Sequence, residues 1–419
     1  MRAAMLELGG SLLEGLLAAD RGHRGTRIDC RAGHQGVFVG YRSKTLDTVL
    51  GAVRLDRAYY HCVECGHGPV PRDRELGVVG ASLSPGLQRM VARVGAAEPF
   101  AKARDDLAEL AGVELSVKRI ERSAEADGQT LAAALDAEAD AMLDATVAPL
   151  TPARHTHAPD ILYVAMDGTG VPCAPAATDG RVGKHPDGRA RTREVKLGCV
   201  FTQSGLDDTG RPLRDADSTS YITTLAPAER FGALVYAEAR RRGITHAKRL
   251  AVLGDAAPWI WKLAALHFPD AIEIVDLYHA REHLHALGAL AAPTLGSDHP
   301  DWLTDRLAEL DAGDIPAMLG AARALTPPET ESRQLDKALG YFETNQHRMR
   351  YAHFRQSGLF VGSGAVEAGC RAVVAQRLKL SGMRWSVPGA TGILALRSHQ
   401  ASGRWDDIWT RLHSHTNVA

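Results

Sequence analysis

Cysteine is scarce in this chain. Six in 419 residues are too few for a disulfide scaffold. Net charge is almost absent as well: 49 Lys+Arg against 50 Asp+Glu leave a formal −1, so no whole-chain basic field announces a nucleic-acid partner. No apolar run approaches the roughly 20 residues of a bilayer span, and neither a membrane helix nor a membrane partner is expected. Aromatic residues are few, at 5%, yet 45% hydrophobic and 24% charged are globular values that argue against disorder. At about 100–200 residues per domain, the length predicts two to four domains. The N-terminal stretch MRAAMLELGGSLLEGLLAADRG sets Glu7 and Glu14 into a helical apolar pattern. A signal peptide has an unbroken apolar core, so a cytoplasmic protein is expected.

The charge that is present is unevenly spread. Residues 1–130 carry 18 basic and 17 acidic side chains, residues 131–340 carry 21 and 29, and residues 341–419 carry 10 and 4. The C-terminal basic excess is either a solvated face or a footprint for phosphates. The acidic middle repels DNA unless some of its carboxylates hold cations.

Near the N-terminus, Cys62-Val-Glu-Cys65 is a CxxC knuckle and Cys30-Arg-Ala-Gly-His34 a C-x3-H pair. Two strand-like runs, Gly36–Tyr41 and Thr48–Tyr60, lie between them. Knuckles at the ends of a β-ribbon bring four soft ligands to one tetrahedral zinc, here Cys30, His34, Cys62 and Cys65. His61 and His67 compete with His34, and a metal-free dithiol or a redox pair is the alternative. Residues 1–78 therefore read as an N-terminal helix with a zinc-ribbon-like module.

Residues 79–148 read as helical. Ser84-Pro85 is an N-cap with proline at the first helical position. Leu87, Met90, Val91 and Val94 follow at helical spacing, a second helix runs from Phe100 to Leu110 and ends at Gly112, and a third follows Ser116. Helix, glycine-containing turn and helix is the helix-turn-helix outline, and equally that of a plain three-helix unit. On the third helix Lys118, Arg119 and Arg122 face outward, available to DNA. The alanine- and acid-rich Ser123–Ala148 reads as a connecting helix, and the proline-rich Ala148–Pro159 as a linker.

Residues 160–419 alternate strands and helices. Ile161–Met166 is a continuous apolar run, as for a strand buried on both faces, and leads into Asp167-Gly-Thr-Gly170. Val195–Thr202, Arg249–Leu253 and Ala271–Val275 read as further strands, Thr223–Arg242 and Ala257–His267 as helices, with another helix from about His279. The pattern predicts an α/β sheet with ligands at the carboxyl ends of its strands, where Asp167, Asp255 and Asp276 fall. Residues 284–360 read as an all-α insertion broken by Pro327-Pro328, and a final helix spans Ala365 to about Leu380.

The segments VAMDGTGVP, REVKLGCVFTQ, LGDAAPWIW, VDLYHAREHL and SGAVEAGCR…RLKLSGMRWS resemble those of bacterial insertion-sequence transposases of the ISKra group, from about Cys30 to Arg404. These are Mutator-like DDE enzymes with an RNase H-like catalytic domain. The resemblance implies a catalytic triad of Asp167, Asp255 and Glu367. It also likens Asp276-Leu-Tyr-His279 to the D/C-x2-H motif that follows the second aspartate. The chain departs from the group at Cys30-Arg-Ala-Gly-His34, where the group usually opens its zinc ribbon with CxxC. The implied activity is cleavage and strand transfer of DNA at the element's inverted repeats and into target DNA, with two Mg2+ (or Mn2+) per active site. The implied partners are those DNAs and a second copy of the chain, as homodimer or higher oligomer in a synaptic complex. The implied location is cytoplasmic, at the bacterial nucleoid.

Chemistry points the same way. Both reactions are in-line displacements at phosphorus, which two divalent cations about 3.5–4 Å apart accelerate. Mg2+ takes hard oxygen ligands, so three carboxylates suit it. Against this, Asp255 also fits an N-cap, Asp276 reads as a supporting residue that orients His279 or caps its helix, and Glu367 suits a helix dipole. Arg193, Lys196, Arg371, Lys379 and Arg384 are candidate phosphate contacts, and Trp385 a base-stacking or core residue. Cys173, Cys199 and Cys370 read as packing residues. Two other functions fit part of the pattern: a non-catalytic DNA-binding regulator derived from a transposase, and an actin-like phosphotransferase suggested by Asp-Gly-Thr-Gly.

Overall fold

The computed structural model describes residues 1–30, 32–144, 159–183, 185–325 and 329–418. The expected linker, apart from Pro159, and the Pro327-Pro328 break lie outside them. The chain divides into two compact units. One comprises Met1–Ala134, Pro388–Arg397 and Arg404–Ala419, the other Leu135–Val387 and Ser398–Gly403.

The first unit opens with α1 (Arg2–Ala18), followed by β1 (Arg27–Asp29), β2 (Gln35–Thr48) and β3 (Gly51–His61) in an antiparallel sheet of that order. The hairpin β2–β3 is longer than the two apolar runs suggest, because β2 continues through the polar stretch Arg42–Asp47. A strand with one wet face tolerates such residues. The buried face supplies Val53 and Leu55, which pack with Leu13 and Leu17 of α1. Gly51, at φ +102°, closes the turn where a side chain is disfavoured.

After the short α2 (Pro71–Glu75), α3 (Pro85–Ala97) starts as expected, with Ser84 Oγ accepting from the Leu87 N–H at 3.4 Å. α4 (Phe100–Asp106) passes into a π-helical turn, Leu107–Ala111, that stops at Gly112 in the left-handed conformation. α5 (Val117–Leu143) is one continuous helix of 27 residues, where separate third and connecting helices were expected. Leu87, Val91, Leu107 and Ile120 form the shared core. Each such buried side chain contributes about 1.5–3 kcal/mol against about 1 kcal/mol for an N-cap, so packing rather than capping holds these helices. Where α5 meets the helix Val387–Ala401, glycines face each other: a Cβ on Gly128 would lie 2.0 Å from the Gly392 carbonyl oxygen.

The second unit contains β4 (Ile161–Pro172), α6 (Pro175–Thr178), β5 (Thr192–Gln203), the ribbon β6 (Gly205–Leu206) and β7 (Pro212–Leu213), β8 (Ser220–Thr224), α7 (Ala228–Arg241), β9 (Arg249–Gly254), α8 (Pro258–His267) and β10 (Ile272–Val275). Next come the consecutive helices α9 (Leu277–Leu295), α10 (His299–Ala312), α11 (Ile315–Arg323), α12 (Glu329–Asn345) and α13 (Tyr351–Gln356). The main sheet is mixed, in the order β10-β9-β4-β5-β8. β9 and β10 run parallel to β4, while β5 is antiparallel to β4 and β8 antiparallel to β5. Thr223 belongs to β8 and not to the following helix, which begins only after Pro227. The expected final helix is α14 (Gly364–Gly369), a π turn Cys370–Ala375 and α15 (Gln376–Leu378). It is not the last, since α16 (Val387–Ala401) and α17 (Trp405–Val418) follow.

Candidate active site and candidate metal centre

In the first unit the two knuckles close on each other. The Cys30 N–H donates to the His34 carbonyl at 2.8 Å, and the Cys62 N–H to the His67 carbonyl at 2.9 Å. Gly33 and Gly66, both at positive φ, allow the two turns. Ligand atoms of Cys30, His34, Cys62 and Cys65 all lie within 4.8 Å of one another. The Cys30 and Cys65 sulfurs are 3.6 Å apart, in hydrogen-bond contact and without a disulfide, close to the roughly 3.8 Å of two sulfurs sharing a tetrahedral zinc at about 2.3 Å each. His34 Nδ1 is buried with no hydrogen-bond partner, while its Nε2 faces Glu64 at 3.7 Å. That is the arrangement of a ligating imidazole oriented by a carboxylate. The Cys65 backbone N–H draws the Cys62 thiol down to about 7, which favours the ligating thiolate. This cluster can hold a metal such as zinc, and His61 and His67 are not part of it.

In the second unit the acids sit at one edge of the sheet. β9 pairs with β4 as far as Met166↔Gly254, so Asp167 and Asp255 are the next residues on two adjacent parallel strands. β4 does not end at Asp167 as the sequence suggested, but continues to Pro172 against β5. Asp167 Oδ1 accepts from the Gly168 N–H at 2.6 Å, and its Oδ2 from the Cys370 thiol at 3.2 Å. Burial pushes the Asp255 carboxyl up and the Asp167 charge adds to it, opposed by the Ala257 N–H. Glu367 lies in the first turn of α14 and accepts from Ser363 Oγ at 3.0 Å. Asp276 caps α9 by accepting from the His279 N–H at 2.7 Å, and its second oxygen takes the Ser363 N–H. A chain of hydrogen bonds thus runs Asp276–Ser363–Glu367. The three acids do not converge as the cysteines do. Among the described residues the Cys/His set is the one group of three or more potential ligands gathered closely enough to share a metal ion.

Sequence reasoning missed three neighbours. Ser363 and Cys370 carry the contacts just described. Glu194 on β5 is opposite Gly170, adds its charge to Asp255, and pairs with Lys196 at 2.7 Å. Its one signal was an acid two residues before Lys196 on the same strand face.

Several expected DNA contacts are already engaged. Lys196 is buried, paired with Glu194 and set 5.7 Å from the Trp259 ring, so it is not free for a phosphate. Arg119 is tied to Asp47 at 2.5 Å and to the Ser82 carbonyl at 3.2 Å. Trp385 is 5% exposed, donates Nε1–H to the Leu378 carbonyl at 3.1 Å and lies under Arg377. It is a core residue whose ring has no open face for a base. A π turn begins at Cys370, between Glu367 and Arg371, so their four-residue spacing does not stack them as it would on an α-helix. Lys118 pairs with Glu121 at 2.7 Å, and Arg193 donates to the Ala177 carbonyl at 3.2 Å. Lys379 bonds the Thr169 hydroxyl. Arg122, Arg371 and Arg384 are exposed. Cys173 and Cys199 are packing residues as expected, but Cys370 touches Asp167.

No protein-family model and no curated protein matches the chain. One solved structure similar to it is a Drosophila P element transposase strand transfer complex, 11% identical, with a TM-score of 0.26 over 83% of this chain and 84% of that one. A likeness that slight decides neither fold nor function. No described helix is long and apolar enough to cross a membrane.

Proposed function

We propose that the chain is a DDE transposase of the ISKra type. It would cleave DNA at the ends of its insertion sequence and join them to target DNA. The observation that carries the reading is the β4–β9 register, which sets Asp167 and Asp255 side by side where the parallel pairing ends, just after Met166↔Gly254. Glu367 is brought to that edge by a helix whose Cys370 bonds Asp167. The mixed sheet with these acids at one edge supports an RNase H-like catalytic domain.

The donor set suits Mg2+ or Mn2+, being hard carboxylate oxygens with no sulfur or imidazole among the three. Bound there, two such cations would activate the attacking oxygen and neutralise the leaving one. Asp167, Asp255 and Glu367 would hold them. The chain's own residues set the stage. The Gly168 N–H and Cys370 thiol fix the Asp167 carboxylate, and Asp276 through Ser363 fixes Glu367. In the first reaction a water oxygen bonds to phosphorus and the terminal 3′ oxygen leaves as a hydroxyl. In the second that 3′-OH attacks a target phosphodiester, whose own 3′ oxygen leaves. Arg122, Arg371 and Arg384, all exposed, would supply cationic contacts to the strands. A second copy of the chain would hold the second end, at the bacterial nucleoid.

The test is incubation of the full-length protein with labelled duplexes bearing its own element's ends. Metal-dependent cleavage and joining, abolished in Asp167→Ala, is the expected result. Full activity of that variant, or activity in EDTA, overturns the reading.

A further inference from the structure

β4 and β5 do not stop where the sheet stops. β9 leaves β4 at Met166, yet the β4–β5 ladder runs six pairs further, from Asp167↔Leu197 to Pro172↔Thr192. One more bond follows, from the Cys173 N–H to the Arg191 carbonyl at 3.1 Å. β8 stays on β5 as far as Lys196↔Thr224, so from Thr169↔Val195 onward β4 and β5 have left both sheet neighbours and run on as a ribbon, rooted beside the acids. The Trp385 segment fixes it: the Trp385 N–H donates to the Pro172 carbonyl at 3.1 Å, and the Ala174 N–H to the Trp385 carbonyl at 2.9 Å. The chain then leaves the ladder through α6 and pairs with itself again at the isolated bridge Val182↔Arg189, where the Ala190 N–H bonds the Arg181 carbonyl and the Gly183 N–H the Gly188 carbonyl, both at 3.0 Å.

This ribbon reverses the local charge. Residues 179–193 hold five Lys+Arg and two Asp+Glu, inside a stretch, 131–340, that holds 21 and 29. Arg181, Arg189 and Arg191 are all exposed. Among the described residues Arg181 and Arg189 make no ion pair, while Arg191 pairs with Asp187 at 2.7 Å. Val182, bridged to Arg189, is 91% exposed.

We infer that the ribbon is an arm that lies in the major groove of duplex DNA, with Arg181, Arg189 and Arg191 on the backbone phosphates. The inference rests on the reading of the adjacent acids as the site of DNA cleavage. A two-stranded ribbon fits a groove about 12 Å wide, and guanidinium groups take phosphate oxygens in pairs. Five steps from Asp167 to Pro172 span roughly 17 Å at about 3.3 Å each. At about 34 Å per 10 base pairs, the contacts fall some five base pairs or more from the scissile phosphate. Duplex RNA, whose major groove is too narrow for the ribbon, would not take the arm.

The experiment measures binding of the full-length protein to a mixed-sequence 40-base-pair DNA duplex in EDTA across a NaCl series. Each phosphate contact contributes about 0.9 to the salt slope. The triple variant Arg181→Ala/Arg189→Ala/Arg191→Ala is expected to lower that slope by roughly 2–3, and the corresponding Arg→Lys triple to keep it. An unchanged slope in the alanine variant overturns the arm, as does an equal loss on an RNA duplex of the same sequence. A ribbon-dependent slope in a protein that never cleaves leaves the arm standing and sinks the transposase reading. Cleavage with a ribbon-independent slope does the reverse.

Discussion

The two candidate centres are built on opposite plans. In the first unit, soft ligands sit on two tight turns whose own backbone bonds close them, and their atoms have already gathered within 4.8 Å. In the second unit, carboxylates come from two strands and a helix and have not gathered. Uncharged thiols can approach one another without a cation between them, whereas like-charged carboxylates repel. A closed soft set suits a metal that holds a fold, and an open hard set suits metals that must also admit substrate.

The comparison can be broken at its strongest point first. Cys62→Ser/Cys65→Ser should lose one zinc per chain by elemental analysis. It should also lower the melting midpoint by more than about 10 °C, since structural zinc sites contribute on the order of 10 kcal/mol to small metal-dependent folds. Retained zinc would remove the closed-site half of the contrast. Asp167→Ala should do the opposite, keeping the zinc while cleavage falls about a thousandfold or more in a single-turnover gel assay. Loss of zinc in that variant would show that the two sites are not separable.

A buried acid without a metal sharpens the contrast. Asp127 of α5 accepts from Gln88 on one oxygen, and its other oxygen is buried without a partner. Burial pushes its carboxyl up from 3.8 to about 7. The folded state therefore holds a proton that the unfolded state releases between about pH 4 and 7. This group's contribution is best below pH 4 and is lost as the pH rises towards 7. Relative to the parent, Asp127→Asn should be about equal in stability at pH 4 and more stable by on the order of 3 kcal/mol at pH 8 in urea titrations. A gap that does not change with pH counts against a protonated Asp127. The smallest effect is expected at Asp255. In EDTA, Asp255→Asn relieves repulsion from Asp167 and should raise the midpoint by a few degrees, for roughly 1 kcal/mol. A fall would mean that the Ala257 N–H bond outweighs the repulsion.

Much of this was legible in local pattern. The apolar runs of β4, β9 and β10, the Ser84-Pro85 start and each of the two knuckles, Cys30/His34 and Cys62/Cys65, depend on residues close in sequence. Strand direction was not legible, because VKLGCVFT reads alike whether β5 runs with or against β4. The polar stretch of β2 was missed because its partner β3, not its own sequence, makes it a strand. The fates of Arg119 and Trp385 were hidden for a related reason. Asp47 is 72 positions before Arg119, and the Trp385 backbone is bonded to Pro172 and Ala174, more than 200 positions earlier. Cys370 looked like packing until the fold set it against Asp167, 203 positions away.

The glycine pair at the crossing of α5 and α16 has a consequence for variation in this protein. With 2.0 Å between a hypothetical Cβ at Gly128 and the Gly392 oxygen, and 2.4 Å between one at Gly392 and the Glu125 oxygen, neither helix can accept even a methyl group without parting from the other. In a library that randomises both positions and selects for folded protein, glycine should return at both sites together. Helix propensity alone would favour alanine at each by about 1 kcal/mol.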